Sequence, residues 1–167
     1  MRIDIWSDIV CPFCYVGKRN LELALAEFEH HDEVDVVWHS FELDPSATEH
    51  PAGSLPELIA GKYQMPLEQA IASQESLAER ARKVGLDFNW RQARYGNTFD
   101  AHRVIHYASE QGLASAAQEA FKMAYFTEGR SVQDHESILD IASEIGLDTA
   151  EVEAVLKSDR YAADVRA

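Results

Sequence analysis

Cysteine is scarce in this chain of 167 residues: there are two, both within the stretch SDIVCPFCYVGK at residues 7–18. Two thiols cannot build a disulfide framework, so the fold has to rest on apolar burial. A hydrophobic content of 46% with 10% aromatics is enough for one domain with a substantial core, and it excludes a disordered chain. Basic side chains are scarce too, 15 against 29 acidic ones for a formal charge of −14, which excludes a phosphate backbone or an anionic membrane surface as partner. No apolar run approaches membrane-spanning length, and the N-terminus lacks an h-region followed by a small-residue cleavage site. With Met1 directly before a strand pattern, the expected location is the cytoplasm. The five prolines and eight glycines form no long linker, and there is no fixed-period repeat or low-complexity tract.

What is present begins as a strand. Ile3 and Ile5 alternate with Arg2 and Asp4 up to Trp6, and the pattern stops at Ser7-Asp8. From Tyr15 onward Leu21, Leu25 and Phe28 recur at helical spacing among Glu22, Glu27 and Glu29, whose carboxylates read as a solvated face. VDVVWHSFEL at 34–43 is β-branched and aromatic and reads as a second, largely buried strand. Residues 1–43 are therefore β-α-β.

After a polar boundary stretch, DPSATEHPAGS at 44–54, the character changes. Ser54 with Glu57 three residues later is a capping-box pattern, and Leu67, Ile71, Leu77, Ala81 and Val84 mark a helix closing at Gly85. Four further segments, opening at 97, 113, 134 and 148, start at polar capping candidates or alanine-rich runs, and the first three end at glycine. Residues 44–167 thus read as a helical subdomain that follows the β-α-β start.

The two cysteines stand at the start of the first helix. A thiol is nucleophilic as its thiolate, and a helix N-terminus supplies free N–H donors and partial positive charge for that anion. Pro12 suits the first helical position because its missing N–H would lack an intrahelical partner anyway, leaving the amides of Phe13 and Cys14 facing Cys11. An exposed thiolate at Cys11 and a shielded second sulfur at Cys14 are what disulfide exchange requires. Two other readings stand beside this one. The thiols could be small buried apolar residues, or half of a zinc site. Zinc needs two more ligands, and among the histidines only His102 and His106 share a helical face, so no metal is assigned.

DIVCPFCYVGKRNLE after an N-terminal strand, together with NTFDAHRVIHYA downstream, resembles the DsbA-like thioredoxin-fold oxidoreductases of the FrnE-like branch over nearly the whole chain. The related 2-hydroxychromene-2-carboxylate isomerases and kappa-class glutathione transferases share that architecture, but typically carry serine where Cys11 stands. The resemblance implies an α/β protein with a thioredoxin-like β-α-β start and a large helical insertion. It also implies a thiol–disulfide oxidoreductase with Cys11 as nucleophile and Cys14 as resolving thiol. Its redox centre would be the Cys11–Cys14 disulfide, with no bound cofactor, and protein or small-molecule thiols and disulfides would be its partners, with glutathione as a co-substrate. A glutathione-assisted isomerase or transferase acting on a small aromatic molecule is the alternative.

Asp8, three residues before Cys11, is a candidate proton acceptor for Cys14, with a solvated turn residue as the plainer reading. Pro12 and Phe13 form the helix start and rim, where Trp6 and Tyr15 are further aromatic candidates. The resemblance places Asn97, His102 and Arg103 near the substrate cleft; an N-cap at Asn97 or Thr98 and a core histidine are the plainer readings. One part of the family pattern is missing. The insertion is normally followed by a cis-proline loop, two strands and a helix, whereas here the sequence stops at SDRYAADVRA in a helical pattern. The expectation is a thioredoxin half without its C-terminal strands and helix, and a first-strand edge free to pair with a second copy.

Overall fold

The computed structural model describes residues 1–48 and 51–167. Strand β1 (Arg2–Ser7) pairs in parallel with β2 (Asp35–Ser40), Arg2 opposite Asp35 through Ser7 opposite Ser40. A parallel pair needs a crossover, and helix α1 (Pro12–Glu27) supplies it. The second strand is shorter than its pattern suggests. Phe41 still donates its amide to Ser7 O at 3.3 Å, but the Leu43 amide turns to the Asp8 carboxylate at 2.8 Å, which draws the chain out of the ladder. Phe41 and Leu43 are 50% and 48% exposed, so the end of the expected buried strand lies at the surface.

Helix α1 corrects its sequence reading in a similar way. Its buried side chains are Tyr15 and Lys18, while Phe28 is exposed and Leu21 and Leu25 only half-buried. Packing against the helical part decides this. The Tyr15 hydroxyl donates to Glu119 at 2.8 Å, and Lys18, buried to its ammonium group, is paired with Glu22 and Glu119. Arg19 joins the same group through Glu22 at 3.0 Å and Glu119 at 2.7 Å. Glu22 is therefore an ion-pair partner, whereas Glu27 and Glu29 remain solvated.

The remaining elements are helices: α2 (Leu55–Tyr63), α3 (Leu67–Arg82), α4 (Phe99–Glu110), α5 (Ala114–Met123), α6 (His135–Glu144), α7 (Thr149–Leu156) and the short α8 (Ala162–Val165), with a π-turn at Ala124–Glu128 after α5. Of the boundary stretch at 44–54, Glu49 and His50 lie outside the described residues. Ser54 and Glu57 form the capping box of α2, and Asp148 caps α7 by accepting the amide of Ala150 at 2.8 Å. The π-turn closes at Gly129, with φ 66°, where a Cβ would stand 2.9 Å from the carbonyl oxygen of Gln92.

One hydrophobic cluster joins Ile9, Val10 and Tyr15 of the β-α-β part to the helices that follow. Phe88 lies between Tyr15 (5.8 Å between ring centroids) and Phe126 (4.4 Å). The helical part thus packs directly beneath the turn that carries the cysteines.

Candidate active site

Cys11 is the N-cap of α1, in extended backbone with φ −88° and ψ 112°, and Pro12 opens the helix. Its Sγ accepts the Cys14 amide at 3.4 Å, with the Phe13 amide also directed at it. Both amides belong to the unsatisfied first turn, the place where a helix stabilises an anion. Phe13 itself stands outward at the rim, 63% exposed. Both cysteines are free and half-buried, so exposure does not separate an attacking sulfur from a resolving one.

The two side chains hydrogen-bond to each other, and their titration belongs to the pair. The Cys11 S–H donates to Cys14. This drives the Cys11 thiol up and brings Cys14 down to about 6, against the cost of desolvation and with help from Ser7, the Asp8 amide and Lys122. The sequence places the lowered thiol at Cys11. With that hydrogen on Cys11 the lowered member of the pair is Cys14, while the amides of Phe13 and Cys14 remain aimed at Cys11, so the placement of a single hydrogen decides which sulfur carries the charge.

Asp8 is buried and fully engaged. Its Oδ1 accepts the Ile9 amide at 2.7 Å and faces His102 Nε2 at 3.2 Å, and its Oδ2 accepts the Leu43 amide at 2.8 Å, with Thr98 as a further donor. Burial alone would raise this carboxyl; His102, the Leu43 amide and Thr98 outweigh it and hold it below the ordinary carboxylate range. A carboxylate so well satisfied is a weak base. Asp8 therefore anchors the β1–α1 turn to α4 and β2, and it is poorly suited to the proton-acceptor role expected of it.

The family-like segment divides into three different jobs. Asn97 Oδ1 accepts the Phe99 amide at 2.8 Å, capping α4, and its Nδ2 donates to Ala47 O at 3.4 Å. His102 is buried against Asp8, and its Nδ1 has no partner among the described residues. Arg103 is not a cleft residue. Its guanidinium is buried and donates to Asp100 at 2.7 Å, to Arg160 O at 2.9 Å, and to the carbonyls of Val155 and Ser158, which ties α4 to the end of α7.

Lys122 was not singled out by sequence. It is fully buried on α5 and donates to Gln118 Oε1 at 2.6 Å, and burial brings its ammonium down to about 8 against the opposing pull of Cys14, Asp8 and Cys11. The signal was present: a lone lysine inside the apolar run AFKMAYF. Among the described residues no group of three His, Cys, Asp or Glu side chains could hold a metal ion, and no helix is long and apolar enough to cross a membrane.

These features have counterparts in known proteins. A protein of Bacillus subtilis named only as uncharacterized is 30% identical over 162 residues, spanning 96% of this chain and 74% of its own. The crystal structure of a probable DsbA oxidoreductase from Streptomyces coelicolor superimposes with a TM-score of 0.94 at 44% identity, covering 99% of this chain and 72% of that one. A cytosolic disulfide reductase, DsbM from Pseudomonas aeruginosa, solved with glutathione, shares the fold at a TM-score of 0.61 and 19% identity over 99% of this chain and 76% of its own. The family pattern described as DSBA-like thioredoxin domain matches residues 2–167. The chain belongs to the DsbA-like thioredoxin-domain family.

Proposed function

We propose that this chain is a thiol–disulfide oxidoreductase working through Cys11 and Cys14. The observation that carries the reading is two free cysteines one helical turn apart, hydrogen-bonded to each other, with the Cys14 amide on Cys11 Sγ at 3.4 Å. A thiolate of the pair attacks one sulfur of a substrate disulfide, that S–S bond breaks, and the departing substrate sulfur takes up a proton. The second cysteine then attacks the mixed disulfide and releases the other substrate thiol, leaving a Cys11–Cys14 disulfide. Two equivalents of a small thiol restore the pair and become a disulfide themselves. Glutathione is the proposed reductant and the cytoplasm the proposed compartment; the DsbM likeness fits both. Protein disulfides and small disulfides are the proposed substrates.

Intact-mass measurement across a series of glutathione redox buffers, with insulin reduction as the activity assay, tests this. Reversible loss of two hydrogens within the chain, together with turnover, is the expected result. A pair that never closes a disulfide at any glutathione ratio would sink the reading and leave the glutathione-assisted isomerase or transferase.

A further inference from the structure

Helix α1 carries the cysteines, and its seat on the rest of the protein is narrow. Its buried side chains are Tyr15 and Lys18, and both end on the same carboxylate, Glu119 of α5. The Tyr15 hydroxyl donates to Glu119 Oε1 at 2.8 Å, Arg19 donates to the same oxygen at 2.7 Å, and the Lys18 ammonium pairs with Oε2. Residues 15, 18, 19 and 22 form one stripe of the helix, and Glu22 closes the group by accepting from Lys18 and Arg19. Burial alone would raise the Glu119 carboxyl; the bonds from Lys18 and Tyr15 and the charges of Lys18 and Arg19 outweigh it and keep it a carboxylate. This clamp lies next to the sulfurs. Tyr15 follows Cys14 in the chain, its amide donates to Cys11 O at 3.2 Å, and its ring is fixed beside Phe88 and Phe126 at 5.8 and 5.7 Å.

We infer that Glu119 is a positioning residue of the cysteine site: it fixes the register of α1 on α5, so that the Cys14 amide keeps its aim at Cys11 Sγ. Its effect on turnover rests on the oxidoreductase reading above; its effect on the thiols does not. A helix N-terminus stabilises a thiolate only through donors that point at it, so a roll or slide of α1 weakens that help whichever sulfur ionises. Glu119 is also an anion on the cysteine helix, and as a charge alone it opposes a thiolate. Removing it therefore has two effects of opposite sign. The lost charge, with Lys18 and Arg19 left behind, lowers the thiolate midpoint, whereas the lost register raises it. With the tips of both buried α1 side chains released, register is the larger effect, and the positioning role requires a rise.

Thiolate absorbance titration of the reduced full chain, wild type against Glu119→Ala, reads that sign. The first thiolate of the pair is expected to titrate about half a pH unit higher in the variant, which below the midpoint means roughly threefold less thiolate and roughly threefold slower alkylation by iodoacetamide. Insulin reduction at the same pH is expected to fall in step. Arg103→Met, whose backbone partners lie on the α7 side, is the control for lost stability and is expected to keep the wild-type midpoint. A midpoint that falls in Glu119→Ala would mark Glu119 as charge alone, and one that stays put would mark it as packing alone; either overturns the inference. An equal rise in Arg103→Met overturns it too, because the shift would not belong to the clamp. Should Glu119→Ala fail to fold, Glu119→Gln takes its place with the same outcomes: it keeps an oxygen for Tyr15 and gives up the ion pairs. A raised midpoint in a pair that never closes a disulfide would refute the oxidoreductase reading and leave the clamp standing.

Discussion

At Cys11 and Cys14 the same donors serve two sulfurs, and single substitutions separate them. Cys14→Ser removes the acceptor that keeps the proton on Cys11 and leaves the amides at positions 13 and 14 in place, so Cys11 is expected to titrate lower than it does in the pair. The variant should accumulate a mixed disulfide with glutathione at Cys11, seen by mass spectrometry, and Cys11→Ser should lose insulin reduction altogether. Mixed disulfide trapped at Cys14 in Cys11→Ser, with none in Cys14→Ser, would assign the attack to Cys14. The pair also makes stability depend on pH. Cys14 titrates at about 6 in the folded chain and at about 8.5 when unfolded, so between those values the unfolded chain holds a proton that the folded one has released. Stability of the reduced form is expected to rise across that window and to be lost as pH falls through 6. Above about 8.5 the raised Cys11 reverses the sign. The oxidised form has neither thiol, so the difference between urea midpoints of the two forms, measured from pH 6 to 8.5, isolates the effect. A constant difference would show that the thiolate gains nothing from the fold.

Among the elements, α4 carries the most connections. Its first turn is capped by Asn97, His102 holds the Asp8 turn from below, and Arg103 closes the carbonyl end of α7. Val155 O accepts the Ser158 amide at 3.2 Å and, like any carbonyl oxygen, can take a second donor, so a buried guanidinium with a fan of donors fits this helix end. Arg103→Met is expected to cost about 2–4 kcal/mol, since it removes the buried guanidinium's bonds to Arg160 O, to the Val155 and Ser158 carbonyls and to Asp100. It should leave the thiolate titration unchanged, because its partners lie on the α7 side. Circular dichroism melts and thiolate absorbance on the one variant check both halves. A shifted thiolate midpoint would instead place Arg103 in the electrostatics of the site.

On the scale of the whole molecule, β1 has one paired neighbour, β2, among the described residues. Trp6 stacks on His39 at 4.5 Å yet is 57% exposed, and Phe13, Phe41 and Leu43 stand outward around the cysteine turn. An unpaired edge beside exposed apolar side chains favours association. A chain of these 167 residues is expected to self-associate with rising concentration in sedimentation velocity. Substituting Ile5 by Lys, which places a charge on that strand, should reduce it. A monodisperse species at all concentrations would show that the edge is protected by its neighbours.

The alternation of Ile3 and Ile5, the Pro12 helix start, the Ser54–Glu57 box and the glycine stops are local signals, and local backbone chemistry answers to them: strand, helix and caps were all legible before the structure. So was the position of the two cysteines at the start of α1, because a helix N-terminus is a property of consecutive residues. What tertiary structure decided were the properties that depend on which segments meet. The buried face of α1 is Tyr15 and Lys18 rather than its leucines, because Glu119 lies across from it, about a hundred residues away in sequence. Asp8 became an anchor rather than a base because His102, Thr98 and the Leu43 amide converge on it. Lys122, a lysine in an apolar run, became fully buried only when α5 packed into the core, with Gln118 as its hydrogen-bond partner. Burial and charge pairing are set by contacts between distant segments, and no spacing within one segment records them.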